Sequence, residues 1–160
     1  MNTLSFDWLE RPGEKRVGHF GGSQTERRHL DFLVDGSSLF EATGAQTYDL
    51  IGLLGWAGPA LDRTSIERLL LEIPTDLWDD RQQIFVCAEC GDIGCGGITA
   101  IVSHSNGAYI WRDFAHENNY DPSMTERERF KTIGPFIFPE NQYRSALLSV
   151  LAGGANHVVR

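Results

Sequence analysis

Between Ile84 and Asn118 the chain reads IFVCAECGDIGCGGITAIVSHSNGAYIWRDFAHEN, and all three of its cysteines fall here. Three short apolar runs, Ile84–Val86, Ile98–Val102 and Tyr109–Phe114, are each bounded by turn formers, the pattern of antiparallel strands. A three-stranded meander is therefore predicted at the centre of the fold. Ser105-Asn106-Gly107 supplies residues that tolerate positive φ between the second and third runs, which a tight hairpin requires. Gly91, Gly94, Gly96 and Gly97 surround Asp92 and Cys95, so the connection between the first and second runs is expected to bend sharply or to approach a neighbour closely.

The flanks supply the remaining elements. Leu30, Phe32 and Val34 alternate with His29, Asp31 and Leu33 ahead of Asp35-Gly36, a hairpin signal. Thr47–Trp56 is apolar with two glycines, which suits a buried strand or a short helix, and is read as strand and loop although periodicity does not decide between them. Thr64 and Glu67 have the spacing of a capping box, which predicts a short helix ending near Glu72, before Pro74. Asn118–Thr132 reads as a surface excursion with a helical turn capped at Ser123 to Glu126. Pro135–Phe138 reads as an edge strand. Tyr143, Leu147, Val150 and Leu151 fall at i, i+4, i+7 and i+8, predicting a C-terminal helix after Pro139. The expected class is α+β: an antiparallel sheet with a central three-stranded meander, one short mid-chain helix and a C-terminal helix. Residues 1–28, with Pro12-Gly13 and Gly21-Gly22, are expected to form a loosely ordered arm, and residues 29–160 a single domain.

Charge narrows the partners. The net charge of −8 is uneven: residues 1–28 hold five Lys/Arg against four Asp/Glu, leaving nine against eighteen in the rest. An acidic body repels nucleic-acid phosphates and attracts basic proteins. No apolar run reaches the roughly 18 residues that a membrane helix needs, no secretory signal is visible, and an odd, clustered set of cysteines points to the cytoplasm. Acidity that merely confers solubility is the plainer explanation of the charge.

Two groups carry potential chemistry. Cys87-Ala88-Glu89-Cys90-Gly91 has the form of a metal knuckle, with Cys95 as a third ligand and structural zinc as the cofactor implied. The fourth ligand is not specified by spacing; Asp92, His104 and His116 are the candidates. The alternative is three reduced, partly buried cysteines beside a turn. A redox pair is disfavoured because Gly-Asp-Ile-Gly after Cys90 does not start a helix. In Trp111–Asn118, strand alternation would put Trp111 and Asp113 on one face and Arg112 and Phe114 on the other. Asp113, His116 and Glu117 suggest acid–base chemistry, but no nucleophile or phosphate-binding loop accompanies them, so no catalytic residue is assigned. A partly buried Arg–Asp or His–Glu pair at a strand end accounts for these residues more simply.

The segment Phe85-Val86-Cys87-x-x-Cys90-Gly91-Asp92-x-Gly94-Cys95-Gly96, followed by Trp111-Arg112-Asp113-Phe114 and Glu117-Asn118, and then by Gly134-Pro135-Phe136-x-Phe138 with Tyr143, resembles a group of uncharacterised bacterial proteins. That resemblance spans roughly residues 30 to 151 and implies a small cytosolic α+β domain without an assigned reaction. In size and acidity the chain is also similar to immunity proteins of bacterial toxin systems, including contact-dependent growth inhibition. Such proteins neutralise a basic, nuclease-type toxin by direct binding. The expectation is a non-enzymatic cytosolic binding protein that engages a basic protein partner, and neither nucleic acid nor membrane, through Asp76, Trp78, Asp79, Asp80, Glu117 and Asp121. The alternative is a metal-stabilised domain or small enzyme, such as an oxidoreductase, built on Cys87, Cys90 and Cys95.

Overall fold

The computed structural model describes residues 1–15 and 23–153. Ser5 and Asp7 interrupt the apolar Leu4, Phe6 and Trp8, a period-two pattern that suits a half-buried strand. Strand β1 (Leu4–Arg11) accordingly buries Leu4 and Phe6. After β2 (Glu14–Lys15) and β3 (Ser23–Gln24), β4 (Arg27–Val34) pairs antiparallel with β1, setting Phe6 opposite Phe32 and Trp8 opposite Leu30. The expected loose arm is thus corrected for Leu4–Arg11: a strand at the start of the chain finds its partner some twenty residues on. Within that arm, residues 16–22 lie outside the described residues.

Asp35 and Gly36, both at positive φ, turn β4 into β5 (Ser37–Ser38), which completes a three-stranded sheet in the order β1-β4-β5. Helix α1 (Leu39–Thr43) starts from Ser38, whose hydroxyl accepts from Glu41 N–H. β6 (Leu50–Gly52) then leaves the apolar Thr47–Trp56 segment, and helix α2 (Pro59–Leu69) follows. The helix begins nearly two turns earlier than the Thr64/Glu67 spacing predicts. Pro59 at its first position has φ fixed for helix and needs no N–H partner. Thr64 therefore lies inside the helix, and its hydroxyl donates to Ala60 O at 3.3 Å.

The meander forms as expected: β7 (Gln82–Cys87), β8 (Gly97–Ser105) and β9 (Ala108–Glu117), with β10 (Phe136–Pro139) at one edge and β6 at the other. All pairings in this five-stranded sheet are antiparallel. Asn106 and Gly107 turn β8 into β9 at φ of 51° and 72°. Strand alternation fails within β9, because Thr99 pairs with Ala115 while Ile101 pairs with Arg112. That extra residue is a bulge, with Asp113 at φ 53°. Trp111 and Phe114 are consequently both buried, whereas Arg112 and Asp113 are both exposed and ion-paired with each other.

One core joins the two sheets, with Phe32 stacked edge-on against both Phe85 and Trp111. At the seam, Leu30 N–H donates to Leu54 O and Gly52 N–H to His29 Nδ1, both at 2.9 Å. A Cβ on Gly52 would sit 1.8 Å from Leu30 O, so only glycine permits this approach. The segment after β9 is more than a surface excursion. Asp121 caps a 3-10 turn at Pro122–Met124, His116 and Glu126 exchange backbone hydrogen bonds, and Phe130 is buried. Helix α3 (Glu140–Gly153) closes the core with Tyr143, Leu147 and Val150. No helix among the described residues is long and apolar enough to cross a membrane.

Candidate metal centre

β7 ends at Cys87, and Gly91 N–H returns to Cys87 O at 2.9 Å, closing the knuckle that carries Cys90. Asp92 then caps a 3-10 turn, Ile93–Cys95, with its carboxylate accepting Gly94 N–H at 3.1 Å. Ile93 is buried beneath this turn. The chain is thereby folded back so that Cys95 faces Cys90, with the two sulfurs 3.3 Å apart. All three Sγ atoms lie within 4.8 Å of one another. Spacing of that order lets three thiolates reach a single ion at a metal–sulfur distance of about 2.3 Å.

The loop is held from outside by the segment expected to be loose. Arg11 bonds both Asp49 (2.8 Å) and Glu89 (2.5 Å), while Arg27 donates to Ala88 O and Glu89 O at 2.9 and 3.0 Å. Thr25 Oγ1 donates to Glu89 at 3.0 Å. Backbone and guanidinium groups thus fix the knuckle before any metal arrives.

Electrostatics prepares the sulfurs unequally. Burial pushes the Cys87 thiol up, but backbone N–H groups of Cys90 and Glu89 and the sulfurs of Cys90 and Cys95 outweigh it, so the net shift is downward. Asp92 N–H points at Cys90 Sγ at 3.4 Å. Cys95 is pushed up to about 11, first by its hydrogen bond with Cys90 and then by the negative charge of Cys90 and Cys87. Three thiols in one place resist a second and third deprotonation unless a cation enters.

None of the three candidate fourth ligands joins the group. Asp92 is committed to Gly94 N–H. His104 lies at the other end of β8, 2.7 Å from Glu140. His116 stacks on Tyr48 at 4.1 Å, and burial lowers its pKa. Among the described residues the only cluster with metal-ligand geometry is the three cysteines.

The residues expected to bind a partner divide. Trp78 (54% exposed), Asp80 and Asp121 are at the surface, as is Asp76 beside Arg68. Trp78 N–H donates to Asn119 Oδ1 at 3.1 Å, joining the acidic loop to the loop that carries Tyr120 and Asp121. Tyr120, 77% exposed, rests on Gly94, where a Cβ would meet its ring at 2.5 Å. Asp79 is half-buried.

Glu117 does not belong to that surface. It is 1% exposed, accepts from Thr99 Oγ1 at 2.6 Å and lies 3.5 Å from the Nε of Arg81, itself 1% exposed. Burial, then a hydrogen bond with Asp79, push the Glu117 carboxyl up to about 7 against the pull of Thr99 and Arg81. Arg81 further donates to Thr99 Oγ1 at 2.8 Å and to the carbonyl of Asp113. The nearest sequence signal for this network was the expectation of a partly buried charge pair at the end of β9. Arg81 itself, a lone cation before an apolar run, carried none.

No family model matches the chain, and no curated protein or solved structure shows significant similarity to it.

Proposed function

We propose that this protein binds one thiophilic divalent ion, zinc in the first instance, through Cys87, Cys90 and Cys95. The observation that carries the reading is the mutual approach of the three sulfurs within 4.8 Å on a knuckle already closed by backbone hydrogen bonds. Three thiolates suit zinc better than magnesium or calcium, which take oxygen donors. The ion would fasten Cys95 to the end of β7 and so hold the turn on which Tyr120 rests. Protein purified under a phosphine reductant without chelators should carry one zinc per chain by elemental analysis, and Cys90→Ser should lose it. A metal content below about a tenth of an equivalent after reconstitution with excess zinc would sink the reading.

A second reading concerns the surface beside this centre, and a separate observation favours it. Trp78, Tyr120 and Met124 are exposed by 54%, 77% and 61% near Asp80 and Asp121. Exposed aromatics rimmed by charge are typical of protein-binding patches. The acidity of the rim suits a basic protein, and a toxin neutralised by an immunity protein is the concrete version. The test is direct binding to a basic toxin domain encoded beside this chain, with Trp78→Ala as the comparison. Affinity weaker than micromolar, or unchanged by Trp78→Ala, would remove this surface from consideration.

A further inference from the structure

Resting on the proposed metal reading, we infer that the ion held by Cys87, Cys90 and Cys95 draws in His116 Nε2 as its fourth ligand, so that the site closes as three thiolates and one imidazole. Gly96 is the observation that carries this. It follows Cys95 directly, and a Cβ placed on it would meet His116 Nε2 at 3.1 Å and Cε1 at 3.4 Å. The edge of the imidazole therefore lies over the backbone next to Cys95, at a residue with no side chain to stand in its way. Sheet register points the same way. Phe85, Ile98 and His116 stand in one row across β7, β8 and β9, and Cys87 lies two residues beyond Phe85 on the same face.

The ring is positioned but not committed. His116 stacks on Tyr48 at 4.1 Å with the ring planes 13° apart, and neither ring nitrogen has a hydrogen-bond partner among the described residues. Offset stacked rings slide over one another at small cost, whereas a buried hydrogen bond would first have to be broken. Only the three sulfurs lie within 4.8 Å of one another, so the imidazole advances toward Cys95 when the ion arrives. The other donors are engaged: Asp92 by Gly94 N–H, Glu89 by Arg11 and Thr25, and His104, at the far end of β8, by Glu140. Charge favours the same atom. A divalent ion with three thiolates carries one net negative charge in a protein already at −8; a carboxylate would add another, and a neutral imidazole adds none. Four protein ligands leave no position for water, the arrangement of a structural ion. The backbone of His116 also exchanges hydrogen bonds with Glu126, so the closed site ties the end of β7 and the Ile93–Cys95 turn to the segment after β9.

Cobalt(II) added anaerobically to the reduced protein reads this arrangement. The wild type should develop thiolate-to-metal charge-transfer bands and tetrahedral ligand-field bands that excess imidazole leaves unmoved. His116→Ala keeps all three thiolates, so its charge-transfer bands should persist. Its cobalt affinity should fall by roughly tenfold or more, the loss that even outer partners of a metal ligand cause, and imidazole should now shift its ligand-field bands saturably. Weaker binding without that response would give His116 a merely structural role and overturn the inference. Cadmium NMR of the unaltered protein decides the matter even where the variant does not fold, because a proton–cadmium correlation should reach the His116 ring as well as the cysteine β-protons. Absence of charge-transfer bands in the wild type overturns the metal reading itself. Full bands that imidazole moves in the wild type, or a cadmium correlation confined to the cysteines, overturn only the part assigned to His116.

Discussion

The β8–β9 hairpin is finished differently at its two ends. Toward the Asn106-Gly107 turn, Tyr109 stacks on Tyr143 at 4.3 Å, and the Trp111 indole N–H donates to Tyr143 Oη at 3.0 Å. Tyr143 donates in turn to Leu69 O at 2.7 Å, and Tyr109 to Leu70 O at 3.0 Å. Every buried polar atom named there has a partner inside the fold. At the other end, where Gly97 pairs with Glu117, two exposed thiols and one half-buried thiol cluster above the buried Arg81–Glu117 pair. Arg81 Nη1 has no protein partner among the described residues. The same two strands thus join an end closed by packing to an end whose balance depends on protons and cations. The first provides stability, and the second can respond to its surroundings.

Removing the aromatic lock should have the largest effect. Trp111→Ala empties a fully buried site that Phe32, Phe114 and Phe138 line, and is expected to cost about 3–5 kcal/mol in urea denaturation. Tyr143→Phe keeps the ring and removes the hydroxyl. It should cost about 1–2 kcal/mol, because the Trp111 N–H loses its acceptor and Leu69 O its donor. A cost near zero for Tyr143→Phe would show that the turn end is held by packing alone.

Between these two in size stands Glu117→Ala. It removes the acceptor of Thr99 and the carboxylate facing Arg81, at a cost of about 2–3 kcal/mol. Replacing both charges, as Arg81→Met with Glu117→Leu, should cost less than the single change, since no unpaired charge is left buried. Should the double variant prove the worse of the two, the pair is a source of stability and the contrast between the ends weakens.

What the sequence disclosed and what it hid follows from the distance over which each signal acts. The meander, the Asn106-Gly107 turn and α3 are written in local periodicity and turn chemistry, and all three formed. The cysteine trio was equally legible, because a Cys-x-x-Cys-Gly knuckle is local and needs only a return turn to bring in Cys95. The strand at Leu4–Arg11 was hidden by its partner's distance, for pairing with β4 decides its state more than its own propensity does. The bulge at Asp113 was hidden because aspartate, although enriched at positive φ, usually lies at negative φ, so one aspartate inside a strand does not by itself mark a bulge. Glu117 was misplaced for a related reason. Read alone it is an exposed acid beside Asn118, and only Arg81, brought across the sheet, explains why it is buried.

A smaller effect separates the ends by pH. The raised Glu117 pKa means that its neutral form is favoured in the fold, so its contribution is complete below the ordinary glutamate value of 4.5 and is lost as pH rises through about 7. His29, held at about 4 by burial, acts in the opposite sense below its ordinary 6.5, and Asp31, pushed up to about 6 by burial, acts in the same sense as Glu117, so the wild-type profile alone mixes them. Glu117→Gln separates them, because His29 and Asp31 are common to both proteins. Relative to that variant the wild type should lose on the order of 1–2 kcal/mol between pH 4.5 and 8, measured by thermal unfolding. A parallel pair of profiles would mean that Glu117 does not titrate in this window.

The smallest effect is expected at the turn end, from the His104–Glu140 contact. His104 Nε2 lies 2.7 Å from Glu140, but both side chains are about 40% exposed. Water screens such a pair, and ordering two side chains offsets much of the attraction. Glu140 also heads α3, where its backbone N–H already donates to Gly107 O at 2.9 Å. The helix start is therefore anchored without the carboxylate. Glu140→Gln should change stability by less than about 1 kcal/mol, and by the same amount in low salt as in roughly 1 M salt, where the Debye length is about 3 Å. A larger, salt-sensitive loss would mean that charge holds this end as well. Packing against charge would then no longer be what distinguishes one end of the hairpin from the other.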